Sequence, residues 1–142
     1  MKEDLMKVSA KGGYSIRLAG IGNFGENPIG NLAEVGSCEI AALFGFVVEA
    51  ARNGMIVVFD NAITGAAVLA AVTVYPEIRN FVFPSVYYEE PVHKMQMQKL
   101  GMHAYLHYDF TEAEGFGSAL GLSLLDVAID GAGSGRQRKE IR

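Results

Sequence analysis

Cysteine, basic charge and long apolar runs are all scarce in this 142-residue sequence. Cys38 is its one cysteine, so no internal disulfide can form, which suits a reducing compartment. Its neighbours in 34-EVGSCEIAALFGF-46 are largely apolar, and Cys38 reads as a small buried core residue rather than a nucleophile. Lys and Arg number 12 against 16 Asp and Glu, for a formal net charge of −4. That balance argues against non-specific nucleic-acid binding. The basic cluster 136-RQRKEIR-142 follows 131-GAGSG-135 and reads as a frayed tail. The longest apolar run, 62-AITGAAVLAAVTVY-75, is interrupted by Thr64, Gly65 and Thr73. It falls short of the roughly 20 residues a membrane span requires. No Lys/Arg-led signal segment with a cleavage site opens the chain. The expectation is a soluble, cytoplasmic protein with neither nucleic acid nor membrane as partner.

Recognisable catalytic or metal-binding patterns are scarce too. His93, His103 and His107 do not form a metal set, because no cysteine or carboxylate stands at a fixed ligand spacing from them. Met95 and Met97 read as core or interface filler. No Ser–His–Asp order and no nucleophile elbow stands out.

What is present is a pattern of elements. Half of the residues are hydrophobic, and the length suits one domain with a real core. Residues 1–33 are glycine-rich without a helical period, and predict loop with at most one short strand. From Glu34 to Arg52 apolar residues recur at helical spacing, and Asn53-Gly54 supplies the stop. Next, 55-MIVVF-59 reads as a strand buried on both faces. Asp60 or Asn61 can cap a helix over 62–74, which Tyr75-Pro76 ends. A strand at 80-NFVF-83 precedes a helix from about Glu89 to Leu100, closed by Gly101. A third strand, 104-AYLHY-108, leads through 109-DFTEAEGFGSAL-120 into a last helix over 117–129.

This alternation predicts an α/β fold, three-layered and Rossmann-like, with a mostly parallel sheet between helices. The expected organisation is a glycine-rich segment over 1–33, one α/β domain over 34–130, and a flexible tail over 131–142. In such sheets a ligand lies beyond the carboxyl ends of the strands. Those ends carry Asp60, Asn61, Ser85 and the loop from Asp109 to Glu114, so parallel strands bring these groups to one edge.

Two glycine motifs have competing readings. Gly115-Phe116-Gly117 at a helix start can let backbone N–H groups approach an anion. It can equally be a tight turn needing positive φ, with Glu114 as an acidic cap, and local sequence favours the turn. The segment 20-GIGN-23 does not complete a dinucleotide fingerprint, since Glu26 replaces the third glycine, and it reads as a loop.

Five stretches carry a resemblance. They are 35-VGSCEIAALFG-45, 57-VVFDNAITGAAVLAA-71, 75-YPEIRNFVFPS-85, 89-EEPVHKMQMQKLGM-102 and 114-EGFGSALGLSLLDVAI-129. Taken in order from Asn27 to about Ile129, they resemble the C-terminal part of the nicotinate-nucleotide–dimethylbenzimidazole phosphoribosyltransferase family of cobamide (vitamin B12) assembly. The family's corresponding motifs include VGGFEIAALAG, VLVDGFIATAAALLAA and EGTGAALALPLIDAAL. The resemblance implies transfer of phosphoribose from nicotinate mononucleotide to 5,6-dimethylbenzimidazole, with no cofactor and no metal. It implies that Glu114, on the Glu of the EGTG motif, is the catalytic base. It further implies that nucleotide binds where Asp60, Asn61, Ser85, Gly115 and Gly117 stand. Phe116 takes the place of that motif's Thr, and the family's upstream half has no counterpart here beyond a partial likeness in 20-GIGN-23.

The chain therefore reads as a truncated or remodelled relative of these enzymes. The alternative is a non-catalytic nucleotide- or base-binding module, or an interaction module, derived from them. A generic flavodoxin-like binder rests on fold analogy alone. A shortened sheet leaves a strand edge and apolar helix faces uncovered, which predicts a homodimer or a complementing chain.

Overall fold

The computed structural model describes residues 27–87, 90–107 and 115–140. The chain begins there with a helix where the glycine content predicts loop: α1, Pro28–Val35. Asn27 accepts the Gly30 N–H at 2.9 Å and Pro28 takes the first helical position. This Asn-Pro start is a local signal that outweighs the missing period. The helix expected over 34–52 is split, because α1 ends at Gly36 and Ser37 caps a new helix, α2, Cys38–Arg52. The Ser37 hydroxyl accepts the Ile40 N–H at 3.3 Å. It also holds the Glu39 carboxyl below its usual value, with the Glu39 backbone N–H helping. Cys38, expected in the core, is exposed on that first turn. Apolar neighbours in sequence point to other sides of a helix, so they do not bury it.

Strand β1, Val57–Phe59, leads into α3, Ala62–Val74. Of the two cap candidates it is Asn61 that closes α3. Its Oδ1 accepts from Ile63 N–H at 3.0 Å and Thr64 N–H at 2.9 Å, and the Thr64 hydroxyl answers the Asn61 N–H at 3.2 Å. That reciprocal pair is a capping box. Helix α3 is apolar on all sides and packs between α2 and α4, with α1, β1 and the 3-10 turn Pro76–Phe81 also against it. The 3-10 turn occupies part of the expected second strand, so β2 is Val82–Pro84. Beyond Ser85 the same extended segment continues as β3, Val86–Tyr87. Then come α4, Pro91–Leu100, closed by Gly101 as expected, and the short β4, Leu106–His107.

The ladders are parallel, β1 with β2 (Val57 opposite Val82) and β3 with β4 (Val86 opposite Leu106). Ser85 joins them: its N–H donates to the Phe59 carbonyl and its own carbonyl accepts the Leu106 N–H, both at 2.9 Å. Residues 82–87 thus form a central strand with β1 on one side and β4 on the other. Pleating sends Val57 and Phe59 into a core shared with Val47, Val68, Ile78, Val82, Met97 and Leu100. Val58 points to the opposite face, where the last helix, α5, Phe116–Glu140, packs. Helices therefore cover both faces of a parallel sheet, the α/β architecture expected.

Helix α5 runs well past the predicted stop at 129 and takes in 131–140, expected as a tail. Glycine lowers helix propensity by about 1 kcal/mol relative to alanine but keeps its N–H, and 130–140 holds no proline. The window Phe116–Gly133 is long and apolar enough to cross a bilayer by length and composition alone, and is 11% buried.

Candidate functional site at the strand ends

The site is built where β1 ends against the start of α5. Gly115 stands just before α5 with φ of 82°, a left-handed conformation that glycine adopts without a Cβ clash. The Gly115 carbonyl accepts the Ala119 N–H at 3.0 Å, which closes the first turn. A helix start normally takes a side-chain oxygen from the residue before it, and glycine has none. Asp60 supplies it from across the fold: its Oδ2 accepts the Ser118 N–H at 3.1 Å. The Ser118 hydroxyl reaches the Val58 carbonyl at 3.5 Å, a longer contact to the same strand. Asp60 is 1% exposed. A buried carboxylate needs such a donor, and the positive end of the helix dipole favours it.

Two glycines let α5 come this close. A Cβ on Gly117 would lie 2.6 Å from Val86 Cγ2 and 3.0 Å from Asp60 Cβ. One turn later, a Cβ on Gly121 would lie 2.6 Å from Ser85 Cβ. Ser85, also 1% exposed, donates its hydroxyl to the Phe59 carbonyl at 3.2 Å. From the other face, buried His93 on α4 donates Nε2–H to the Val86 carbonyl at 3.2 Å. Gln96 donates to the Ala62 carbonyl at 2.9 Å and so supports the first turn of α3.

The structure thus brings Asp60, Ser85 and Gly117 together around the α5 start, with Gly115 just ahead of it. Asn61 is turned to α3 instead. Ser85 lies within the central strand rather than at its end, because β3 continues the strand to Tyr87. Glu114 and the rest of the 109–114 loop, like 20-GIGN-23, lie outside the described residues. Ser118, Gly121 and His93 escaped sequence reasoning. The spacing of Gly117 and Gly121 by four residues was a usable signal for close packing of one helix face; nothing local marks His93. Among the described residues no group of three or more His, Cys, Asp or Glu is placed to hold a metal. An open cavity of about 460 Å³ is lined by Arg79, Asn80, Phe83, Pro84, His103 and Tyr105 among others, and Asp60 is not in its lining.

The sequence profile of a family described as phosphoribosyltransferase matches residues 15–137. The chain belongs to this phosphoribosyltransferase family. The match begins upstream of Asn27, where the motif resemblance starts. Among its relatives, the nicotinate-nucleotide–dimethylbenzimidazole phosphoribosyltransferase of Dehalococcoides mccartyi is 37% identical over 97 residues, 68% of this chain and 28% of that protein. The enzyme of the same name from Ruminiclostridium cellulolyticum is 39% identical over 103 residues, 72% of this chain and 29% of that protein. The crystal structure of CobT from Thermus thermophilus superposes with a TM-score of 0.71 at 32% identity, covering 78% of this chain and 33% of that one. The chain therefore spans no more than about a third of the length of these phosphoribosyltransferases.

Proposed function

We propose that this chain is the base-bearing part of a phosphoribosyltransferase that moves phosphoribose from nicotinate mononucleotide to 5,6-dimethylbenzimidazole. The observation that carries this reading is the identity of 37–39% over 97 and 103 residues with enzymes of that name, together with the family match over residues 15–137, a range that includes the EGFG stretch. In the reaction, a ring nitrogen of the benzimidazole attacks the ribose carbon that holds nicotinate. The bond from that carbon to the pyridinium nitrogen breaks, its electron pair neutralises the ring, and nicotinate leaves. The other benzimidazole nitrogen gives up its proton, and Glu114 is the group that takes it. A carboxylate in a partly apolar pocket is a stronger base than one in water, which suits this step. The products are α-ribazole phosphate and nicotinate.

Contact with the nucleotide falls in this reading to the turn at Gly115–Gly117, at the positive end of the α5 dipole. Phe116, the first residue of α5, is 44% exposed and so accessible to a ligand ring. A homodimer or a complementing chain is the partner in this reading, supported by the apolar side chains that α5 leaves exposed, Leu122, Leu124, Val127 and Ile129 among them. Incubation with both substrates tests the reading. α-Ribazole phosphate forms with the wild type and falls at least about a hundredfold with Glu114→Gln. Equal product from the two proteins counts against Glu114 as the base.

Phe116, exposed where the resemblance places a Thr, favours a second reading, a module that binds nucleotide or base without turnover. Calorimetry separates the two: heat of binding with either substrate and no product supports the module.

A further inference from the structure

We propose that the open cavity between β2 and the segment leading into β4 is a second binding site, which takes a small planar aromatic carboxylate with Arg79 as its anion contact. The inference does not rest on the phosphoribosyltransferase reading, and Asp60 is not in the lining. The cavity follows from a break in the sheet. The Ser85 N–H donates to the Phe59 carbonyl, on the β1 side of the central strand. Alternation along the strand turns the nitrogen of Pro84 to the other side, where proline has no hydrogen to donate. The β3–β4 ladder accordingly starts only at Val86 and Leu106, beyond that proline. Ahead of it, β2 and the segment from Met102 to Tyr105 flank a space of about 460 Å³, a size that suits a small molecule.

The lining is basic and aromatic in a chain whose net charge is −4. Arg79, Asn80 and His103 supply hydrogen-bond donors, and none of the described lining residues is Asp or Glu. Phe83 and Tyr105 supply aromatic rings, and Tyr105 is 61% exposed rather than packed in the core. Arg79 comes from the 3-10 turn Pro76–Phe81, and its Nη2 donates to the Gly101 carbonyl at 2.8 Å. Gly101 closes α4 in a left-handed conformation, so the guanidinium is tethered between two elements. A guanidinium carries five N–H donors in a rigid fork. One bond to Gly101 leaves donors for two parallel bonds to a carboxylate, and the tether has already removed part of the side chain's freedom. A bare anion would leave the rings without a partner, and a neutral ring would leave Arg79 without one. A ring that carries a carboxylate matches both.

Benzoate is the probe, titrated into the full chain and followed by backbone amide chemical shifts. Benzamide, cyclohexanecarboxylate and inorganic phosphate are the comparators. Saturable shifts are expected from Arg79 to Phe83 and from Met102 to Tyr105, with a Kd on the order of a millimolar for so small a ligand. Benzamide has the ring without the charge and is expected to bind at least about tenfold more weakly. Cyclohexanecarboxylate has the charge without the aromatic face and is expected to lose about threefold to tenfold. Arg79→Gln is expected to weaken benzoate by about tenfold, and Tyr105→Ala by about threefold to tenfold.

No saturable shift in the wild type by about 10 mM benzoate overturns the proposal. Benzamide that binds as tightly as benzoate overturns it as well, and so does undiminished benzoate binding by Arg79→Gln. Inorganic phosphate that displaces benzoate at equal concentration shows a plain anion site and overturns the choice of an aromatic ligand. Shifts that cluster at Gly115–Ser118 instead place the carboxylate at the strand-end turn and count against the cavity. If Arg79→Gln does not fold for want of the bond to Gly101, Arg79→Lys takes its place: it keeps a donor but loses the fork, and a clear weakening is again expected. Turnover is not part of the measurement, so failure here leaves the reading of Glu114 as it stands.

Discussion

Gly117 shows how much one missing methyl group decides. With alanine there, the new Cβ meets Val86 Cγ2 at 2.6 Å and the Asp60 side chain at 3.0 Å, so α5 must move off the strands. Gly117→Ala is expected to lower stability by about 1–3 kcal/mol in urea denaturation, the usual range for overpacking. Gly115→Ala has open space around its Cβ and is strained instead through its φ of 82°. The expected loss is about 1 kcal/mol. A finding that Gly117→Ala is as stable as wild type contradicts the close approach described here. The glycines were legible in the sequence as a turn and a helix start. The partners that make Gly117 obligatory, Val86 and Asp60, lie about 30 and 57 residues away, and no local pattern names them.

At the scale of elements, stability at the helix starts comes from side-chain caps. Asn61→Ala removes the acceptor for two N–H groups and breaks the capping box of α3, at an expected cost of about 1 kcal/mol. Thermal unfolding measures it; a shift within error means that packing alone starts α3. Ser37→Ala acts similarly on α2, with a pH dependence that the Asn61 cap does not have. Glu39 has its carboxyl lowered chiefly by Ser37, so its contribution is present at neutral pH and lost as the pH falls through that lowered value. The gap between wild type and Ser37→Ala should therefore narrow on acidification in denaturation series. A gap that widens excludes this coupling. Most elements were legible because their caps and stops are local: Tyr75-Pro76, Gly101 and Asn53-Gly54 end helices near where expected. The errors have local causes too. Asn27-Pro28 starts a helix inside a glycine-rich stretch, Gly36-Ser37 splits one, and glycines at 131, 133 and 135 fail to end another.

For the whole molecule, the deciding feature is the apolar surface that α5 leaves exposed around most of its circumference. Its Gly117–Gly121 edge is buried on the sheet, while Leu122, Leu124, Val127 and Ile129 are exposed, Val127 at 69%. Apolar area of this kind on one helix marks a surface made for contact. Association is expected in sedimentation at high protein concentration, and Val127→Asp is expected to weaken it without unfolding the α2–α3–α4 core. A wild-type chain that stays monomeric argues against self-association and leaves the complementing chain as the occupant to test.

The sequence by itself determined the alternation of strands and helices, the parallel sheet and the family. Each of these rests on periodicity, caps or ordered motifs that neighbouring residues carry. Only the tertiary structure decided where Asp60 and Ser85 sit. Both were expected to bind nucleotide at the strand ends, and both are found buried against α5, one holding its first turn and the other lying beneath Gly121. A carboxylate at the end of a strand reads the same in sequence whether it faces a ligand or a helix. The difference is set by how closely α5 approaches, and two glycines make that approach possible.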